Sequence, residues 1–390
     1  MQPVGVYLDY AATTPVDPRV LEAMLPYFGE SFGNPSSIHS WGQAAEAKVE
    51  EARSSIAAVM GCAAEEIVFT SCGTESDNLA LRGAAFAERA RRGATRLLTT
   101  PVEHHAVLRT ALQLAEHHGF RVELLPVDSD GLADPDDLRT ALRDDVAVVS
   151  VIYSNNEIGT INPIRELGAI CRERGVPFHT DAVQAASQLE VKAHDLHVDL
   201  MSIGAHKFYG PKGVGALVVR RGIKLLPHQT GGSQESGLRA GTQNVPLIAG
   251  MAEALRLTHE EREHHTRHFQ ALRDRIISEV STTIPGARLT GHATQRLPNH
   301  ASFVFEGVDG NALVAALDMA GFACSSGSAC KTGDPEPSEV LTALGLSRSW
   351  ALGSLRVSVG RRTTWNEIEE FCQALPDVVA KLRAGVTVQA

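Results

Sequence analysis

An acid and an amine follow two neighbouring apolar runs of the sequence. Asp181 comes directly after the run Pro177–Thr180, and Lys207 follows the run Leu200–Gly204. Because neighbouring parallel strands end at one edge of a sheet, we expect the two side chains to meet there. An aspartate can keep a pyridine nitrogen protonated, and a lysine amine can form a Schiff base, which together is the chemistry of pyridoxal phosphate. A structural ion pair explains the same two residues, and both interpretations stay open at this point.

The segment Ser71–Asp77 has the composition of a turn that opens a helix. Thr74 is the predicted N-cap, and Asp77 stands three residues later in capping-box spacing. The free N–H groups of a helix N-terminus that follows a glycine turn can bind a phosphate. A capped helix after a strand explains the same residues without a ligand, so the segment alone does not predict a phosphate site.

Six cysteines are spread along the chain without a C-x-x-C pair, which argues against a disulfide framework or a zinc ribbon. Cys330 lies in the Gly-, Ser- and Pro-rich stretch 325–338, which we predict to be an exposed, mobile loop. The adjacent Lys331 favours a thiolate there, so Cys330 is the candidate reactive thiol. Cys324 begins the loop, and its role is left open. The predicted structural cysteines are Cys62, Cys72, Cys171 and Cys372.

The run from Thr258 to Val280 is rich in histidine and charge and is predicted to form one long helix. His264 and His268 stand one turn apart and could share a metal ion, although no H-E-x-x-H pattern is present. A solvated charged face accounts for the run, and we predict no metal site.

Short β-branched runs alternate with amphipathic stretches from about residue 43 to residue 260. This alternation is typical of βαβ units in a mostly parallel sheet, and it predicts an α/β domain with seven strands. The predicted strands are Glu66–Ser71, Arg96–Thr100, Arg121–Val127, Val146–Ser154, Pro177–Thr180, Leu200–Gly204 and Gly215–Arg220. The predicted helices include Gln43–Met60, Thr74–Arg92, Val107–His118 and Ile164–Arg174.

A smaller α+β C-terminal domain is predicted after the long charged helix. Its elements are the strands Ala301–Phe305 and Ser354–Val359 and the helices Gly310–Ala320 and Trp365–Arg383. We assign residues 16–260 to the large domain. Residues 1–15 and 261–390 form the predicted small domain, which carries the loop 325–338.

The charge balance limits the partners. The chain has 36 Lys+Arg and 46 Asp+Glu, a net charge of −10 without a basic stripe, which disfavours nucleic acid and anionic membranes. No apolar run reaches the roughly 18 residues of a spanning helix, and the N-terminus lacks the regions of a signal peptide. We therefore expect a cytoplasmic protein.

A set of motifs runs from residue 7 to residue 360: Tyr7–Pro15, Phe32–Ser37, Glu103–Val107, Asn155–Gly159, His206–Gly213, Arg239–Thr242, Ser325–Cys330 and Arg356–Gly360. In composition and order this set resembles the NifS/IscS-type cysteine desulfurases of the class V aminotransferase superfamily. The resemblance implies fold type I of the pyridoxal-phosphate-dependent transferases. It also implies conversion of L-cysteine to L-alanine, with the sulfur carried away as an enzyme persulfide.

The resemblance implies a role for each matching residue. Lys207 would be the Schiff-base lysine, Asp181 the partner of the pyridine nitrogen, and His104 the ring that stacks on the cofactor and manages the substrate thiol proton. Cys330 would be the nucleophile that accepts the sulfur. The implied substrate-binding residues are Asn34, Asn156 and Arg356. The further cofactor-binding residues are Gly73, Thr74, Asn156, Gln184, Gly204, His206 and, from the partner subunit of a homodimer, Thr242.

The sequence departs from the family pattern in four places, one of which is the run Lys331–Pro335 after Cys330, where the family has a plain Thr-Ser run. Gly204 stands where the family usually has a phosphate-binding serine, and Ser236 stands where an arginine is common. The chain also ends without the longer aromatic tail with which some members recruit an iron–sulfur scaffold, so the protein that accepts the sulfur stays open.

Two alternatives remain beside the desulfurase interpretation. One is another pyridoxal-phosphate activity, an aminotransferase or a selenocysteine lyase, and the other is a non-catalytic binding subunit. Cys330 separates desulfuration from transamination, because transamination needs no second nucleophile. The joint presence of Lys207, Asp181, His104, Arg356 and Cys330 disfavours the non-catalytic alternative.

Overall fold

The computed structural model describes residues 5–327 and 336–385. Its strands, in chain order, are β1 (Val6–Tyr7), β2 (Ile67–Thr70), β3 (Arg96–Thr99), β4 (Arg121–Leu124), β5 (Val146–Ser150), β6 (Phe178–Asp181), β7 (Leu200–Gly204), β8 (Gly215–Val219), β9 (Ala287–Leu289), β10 (His300–Phe305), β11 (Phe322–Ala323) and β12 (Ser354–Ser358). The predicted strands of the sheet are all present, several of them ending a few residues early.

The described helices alternate with these strands. In chain order they are α1 (Pro18–Met24), α2 (Ser40–Met60), α3 (Gly73–Arg92), α4 (His105–His118), α5 (Pro135–Ala141), α6 (Ile164–Arg174), α7 (Val245–Glu260), α8 (Arg262–Thr283), α9 (Gly310–Met319), α10 (Glu339–Ala343), α11 (Arg348–Ala351) and α12 (Trp365–Arg383). None of them is long and apolar enough to cross a bilayer.

The strands β2 to β8 form one sheet in the order β2-β8-β7-β6-β5-β3-β4. The strands β4, β3, β5, β6 and β7 are parallel to one another, whereas β8 is antiparallel to both β7 and β2. The connection 205–214 is too short for a parallel crossover, which explains why β8 reverses direction. The predicted mostly parallel α/β sheet is confirmed, and the ends of β6 and β7 share one edge.

Side chains alternate between the two faces of this sheet. In β2, Ile67 and Phe69 pack into the core that contains α2, α6 and α7, whereas Val68 packs into the core on the α3 and α4 side. Such alternation is the two-residue period of a strand, and helices on both faces bury it fully. The sheet is therefore a rigid support for the residues that follow its strands.

The C-terminal part of the chain has a separate apolar core. Strands β12, β10 and β9 form an antiparallel sheet, and α8, α9 and α12 contribute buried side chains to its core. The N-terminal strand β1 pairs with β11, and Leu8 is buried in the same core. The predicted α+β character of this part is confirmed, whereas the boundaries at residues 15 and 260 stay predictions.

The prediction of one long charged helix over Thr258–Val280 is wrong, because the structure has two helices that are separated at Glu261. The backbone of Glu261 leaves helical geometry between α7 and α8. Its carboxylate accepts a hydrogen bond from Arg19 at 2.6 Å and lies 3.6 Å from Arg361. These tertiary ion pairs fix the break, and neither glycine nor proline marks it in the sequence.

Candidate active site

A cavity of about 340 Å³ opens at the edge of the sheet where β6 and β7 end. Its wall contains two acids, an amine, two histidines, an arginine and the first residues of a helix. The predicted site residues that line it are Gly73, Thr74, His104, Asn156, Asp181, Gln184, His206, Lys207 and Arg356.

Asp181 is the last residue of β6, and its carboxyl group is buried. The backbone N–H of Val183 donates to its Oδ1 at 2.9 Å. Burial raises the pKa of Asp181 to about 6; the nearby Asp77 adds to this rise, and His104 opposes it. At neutral pH the group is therefore mainly a carboxylate that a cation in the cavity would stabilise.

Lys207 lies in the short helical turn that directly follows β7. Its Nζ donates to the backbone carbonyls of Ala11 and Ala12 at 2.7 and 2.8 Å, so these carbonyls, rather than Asp181, hold the amine. Burial lowers its pKa to about 8, with Arg356 adding to the effect and Asp181 opposing it. The structural ion pair considered from the sequence is not formed, and about a tenth of this amine is neutral at pH 7.

His104 precedes α4 and caps it, because its Nδ1 accepts a hydrogen bond from the N–H of Ala106 at 3.1 Å. This bond fixes the ring at the cavity wall while one side stays open to the cavity. Desolvation by the surrounding protein lowers the pKa of His104, an effect that Asp181 opposes and Lys207 reinforces. With Nδ1 accepting from Ala106, the neutral ring carries its hydrogen on Nε2, so it can give a proton from Nε2 and takes one only at Nδ1, at the expense of the cap bond.

The helix N-terminus at the cavity differs from the prediction. The N-cap is Cys72, without a side-chain cap, and Thr74 lies inside the first turn of α3, so the predicted cap at Thr74 is wrong. The carboxylate of Glu75 accepts from the N–H of Ser71 at 2.6 Å instead. A Cβ at Gly73 would stand 2.5 Å from a methyl carbon of Val183, so the close approach requires glycine. The first turn of α3 thus faces the cavity, where an anion would be stabilised.

His206 and Gln184 complete this side of the wall. His206 Nδ1 lies 3.2 Å from Thr13 Oγ1, and burial lowers its pKa to about 4, so the ring is neutral. Gln184 donates from Nε2 to the carbonyl of Ala11 at 2.7 Å. Both side chains are therefore hydrogen-bonded to the N-terminal segment that also holds the lysine.

Arg356 reaches the cavity from β12 of the C-terminal sheet, and its side chain is buried. Nη2 donates to Asp9 Oδ1 at 2.8 Å and Nη1 donates to the carbonyl of Asn156 at 2.9 Å. Its Nε is buried without a hydrogen-bond partner. An unpaired buried donor on a charged group indicates a place for an anion.

The backbone of Arg356 also anchors the start of the predicted loop 325–338. The N–H of Arg356 donates to the carbonyl of Ser325 at 2.7 Å, and the N–H of Ser325 donates back at 3.2 Å. Cys330 and Lys331 themselves lie outside the described residues. The described part of the loop therefore leaves directly from the arginine at the cavity.

Three predicted site residues do not line the cavity within this chain. Gly204 ends β7 next to the Gly73 backbone, whereas Asn34 and Thr242 are exposed on the surface. Their proposed contacts with substrate or cofactor stay predictions, and that of Thr242 requires a second subunit.

The cysteines among the described residues are all free thiols. Burial raises the pKa of Cys62 to about 12 and that of Cys372 to about 11, and it also raises those of Cys171 and Cys324. These four thiols are therefore protonated at neutral pH, and Cys324, left open by the sequence, belongs to the C-terminal core. Cys72, expected to be structural, lines the cavity.

Sequence reasoning missed two acids at this site. Asp9 holds Arg356, and Asp77, predicted to cap a helix, lines the cavity instead. Asp77, His104 and Asp181 each offer one atom within 4.8 Å of the others, a spacing that a metal ion could use. The absence of a metal stays a prediction. Asp9 lies within the motif Tyr7–Pro15, and this position could have identified it as a residue of the site.

The sequence is similar to a known protein family and to known enzymes over nearly its whole length. The chain matches the class-V aminotransferase family over residues 6–371. It is 47% identical over 379 residues to the cysteine desulfurase IscS of Methanosarcina thermophila, covering 97% of this chain and 93% of that protein. The cysteine desulfurase IscS of Dictyoglomus turgidum is likewise 47% identical over 378 residues, covering 97% of this chain and 95% of that protein.

Two solved structures are similar over most of their length. A NifS-like protein superposes with a TM-score of 0.90 at 37% identity, covering 97% of this chain and all of that one. The protein SspA in complex with cysteine superposes with a TM-score of 0.79 at 35% identity, covering 91% of this chain and 98% of that one.

Proposed function

The chain belongs to the class-V aminotransferase family and, within it, to the cysteine desulfurases, and on this premise we propose how its residues convert L-cysteine to L-alanine. The observation that carries the proposal is the meeting of Asp181, Lys207 and Arg356 at one cavity. The first two suit a pyridoxal phosphate, and the third suits the carboxylate of an amino acid.

The described residues fit pyridoxal phosphate in three respects. Asp181 is a buried carboxylate for the pyridine nitrogen, Lys207 is an amine for the aldehyde carbon, and the open N-terminus of α3 with Thr74 and His206 suits the phosphate. When bound, this group withdraws electrons from the substrate and makes its Cα–H acidic. The remaining steps belong to residues of this chain.

Arg356 is proposed to bind the substrate carboxylate. Nη1 and Nη2 are already held by the Asn156 carbonyl and by Asp9, which fixes the plane of the guanidinium. The second N–H of each Nη and the unpaired Nε–H are the donors left for a carboxylate. Substrate binding would thus remove an unsatisfied polar group while orienting Cα toward Lys207.

Lys207 is proposed to take the Cα proton. Because burial lowers its pKa to about 8, part of the amine is unprotonated near neutral pH and able to accept a proton. The carbonyls of Ala11 and Ala12 hold Nζ at the cavity wall and accept its hydrogens. His104, neutral because its pKa is lowered, is proposed to receive the proton of the substrate thiol.

Cys330 is proposed to be the sulfur acceptor. Its thiolate would attack the substrate sulfur, the substrate C–S bond would break with its electron pair left on the carbon skeleton, and protonation of that skeleton would give alanine. The sulfur would remain on Cys330 as a persulfide. The direct hydrogen bonding of Ser325 to the Arg356 backbone supports a route from the substrate site to this loop.

We propose a homodimer as the working form. A run of exposed apolar side chains follows α1, and it is suited to burial against a second copy: Leu25, Phe28, Phe32, Ile38 and Trp41. A second subunit would also bring in Thr242, which is exposed and does not line the cavity of its own chain. An iron–sulfur scaffold is the proposed class of acceptor for the sulfur, and the cytoplasmic location stays a prediction.

The experiment that tests the function follows both products from L-cysteine in the presence of a reductant. We expect equal amounts of alanine and sulfide from the wild type. Cys330→Ser should keep the visible absorption of bound cofactor and lose sulfide release, whereas the control Cys62→Ser should release sulfide like the wild type. Sulfide release at the wild-type rate from Cys330→Ser would exclude the persulfide step, and pyruvate in place of alanine would indicate another activity.

A further inference from the structure

A second buried carboxyl group lies beside Asp181. Asp77 is on α3, its side chain is 1% exposed, and it lines the cavity. One of its oxygens lies within 4.8 Å of an Asp181 oxygen and of a His104 nitrogen. The acid expected at the pyridine nitrogen therefore has an acidic neighbour at short range.

The two acids differ in the hydrogen bonds that the protein gives them. Asp181 accepts a backbone hydrogen bond from Val183, whereas neither buried oxygen of Asp77 has a hydrogen bond of normal geometry, and the nearby Ser202 hydroxyl only partly offsets the effect of burial on its pKa. A buried carboxylate without donors is costly, while a protonated carboxyl group needs much less compensation. The surroundings thus favour the proton on Asp77 and the negative charge on Asp181.

No described cation offsets this imbalance at Asp77. His179 Nε2 is 3.5 Å from Asp77 Oδ1, but its ring nitrogens also lie 2.8 Å from Ser150 Oγ and 3.0 Å from Ser202 Oγ. Burial lowers the pKa of His179 to about 4, so this ring is neutral.

Glu103 and His104 are the other titratable groups that face Asp77. The Glu103 carboxyl accepts from the N–H of Ile152 and from Thr100 Oγ1, both at 2.8 Å, and burial raises its pKa. His104 is already the proposed acceptor of the thiol proton. Although Lys207 and Arg356 line the same cavity, the titratable groups named around Asp77 are thus acids or neutral imidazoles.

We propose that Asp77 and Asp181 form a buried carboxyl pair that shares one proton, and that Asp77 is a positioning residue acting on the cofactor through Asp181. Two carboxylates this close, both of them buried, do not both ionise readily. Asp77 keeps the proton, so that Asp181 carries the charge that holds the pyridine nitrogen protonated. The proposal rests on the proposed function, because it needs bound pyridoxal phosphate.

A pH dependence follows from this pair. Burial raises the pKa of Asp77 to about 7. As the pH rises through this value, a second negative charge forms beside Asp181 and increases the affinity of the ring nitrogen for its proton. The bound cofactor should therefore respond to the ionisation of Asp77.

The test is a pH titration of the visible absorption of the holoenzyme, with the rate of cofactor loss measured in parallel. Asp77→Asn removes the charge and keeps the shape, and we expect it to move a spectral midpoint by about one pH unit. Asp199→Asn is the matched control, because Asp199 is a buried aspartate just before β7, at the end of the strand far from the cavity. It should leave the midpoint unchanged.

Identical titrations for wild type and Asp77→Asn would overturn the proposal, as would a variant that is merely less stable to urea with an unmoved midpoint. If Asp77→Asn does not fold, Asp77→Glu keeps the acid and should retain the transition. Because Glu103 is also a buried acid with a raised pKa, the infrared test is a difference spectrum: a protonated carboxyl band just below neutral pH should be present in wild-type holoenzyme and lost in Asp77→Asn, and an unchanged band would equally overturn the pair. A wild-type protein without any visible cofactor absorption would contradict the proposed function instead.

Discussion

The two sides of the cavity differ in how their charged groups are held. On the side of the seven-stranded sheet, Asp181 and Lys207 follow adjacent parallel strands, and burial shifts the pKa of both groups toward neutrality. On the side of the C-terminal sheet, Arg356 comes from the middle of an antiparallel strand and already has Asp9 as its ion partner. One side presents groups that can exchange protons, and the other presents a fixed charge.

This difference indicates that the two sides have different roles in the reaction. Groups at the parallel edge are held by backbone carbonyls and amides, so their protonation can change without breaking an ion pair. Arg356 is held rigidly by two acceptors, and three of its five N–H groups, among them the buried Nε–H, remain for a ligand. We therefore expect changes on the sheet side to alter chemistry, and changes on the arginine side to alter substrate binding.

The largest expected effect is on the sheet side. Lys207→Ala removes both the attachment point for the cofactor and the base, so kcat should fall by about four orders of magnitude. Steady-state kinetics together with the visible spectrum measure this, and Lys212→Ala, an exposed lysine of the same motif, is the control. Residual activity within tenfold of wild type would mean that another group is the base.

A smaller effect with a different signature is expected on the arginine side. Arg356→Lys keeps the charge but loses the planar guanidinium, so KM for L-cysteine should rise about 10- to 100-fold with a lesser change in kcat. Titration with L-cysteine measures both constants, and Arg362→Lys, an exposed neighbour, serves as the control. An unchanged KM with reduced kcat would contradict the division between the two sides.

Asp9 should have a weaker effect than the arginine that it holds. Asp9→Asn keeps an acceptor for Nη2 but removes the charge of the pair at 2.8 Å. Because the pair is partly accessible to solvent, KM should rise by less than about tenfold. A KM change as large as that of Arg356→Lys would indicate that Asp9 contacts the substrate itself.

The smallest effect concerns Gly204, where the family usually has serine. A Cβ there would stand 3.4 Å from the Gly73 nitrogen and 3.7 Å from a Val183 methyl carbon, which are ordinary contacts, so serine fits. One added hydroxyl beside the phosphate region should slow cofactor loss about fivefold. Gly204→Ala adds the carbon without the hydroxyl, and an equal effect from both variants would rule out a hydrogen bond as the cause.

Much of this arrangement was predictable because it depends on local pattern. The apolar runs predict the strands β6 and β7, which end at or just before Asp181 and Lys207. Because these strands are parallel neighbours, the two side chains are expected to meet at one edge of the sheet. The interruption at Glu261 was missed because partners distant in sequence, Arg19 and Arg361, fix it. Asp77 was misassigned because its spacing from Thr74 matches a capping box, whereas the helix begins one residue earlier, at Gly73.

Some contacts could not be predicted from the sequence, because they join residues that are far apart in the chain or in different subunits. The pairing of Asp9 with Arg356 joins residues at opposite ends of the chain, and only the packing of β1 and β12 into one core brings them together. Thr242 needs a second subunit to act as predicted. Such contacts depend on tertiary or quaternary structure rather than on spacing.

The most direct test of the account is the mass of the protein after exposure to L-cysteine without reductant. We expect one added sulfur atom per subunit, located by peptide mapping to the segment that contains Cys330, together with one alanine released per subunit. Alanine release with no added sulfur, or sulfur found on Cys72 at the cavity wall, would contradict the assignment of Cys330 as the acceptor.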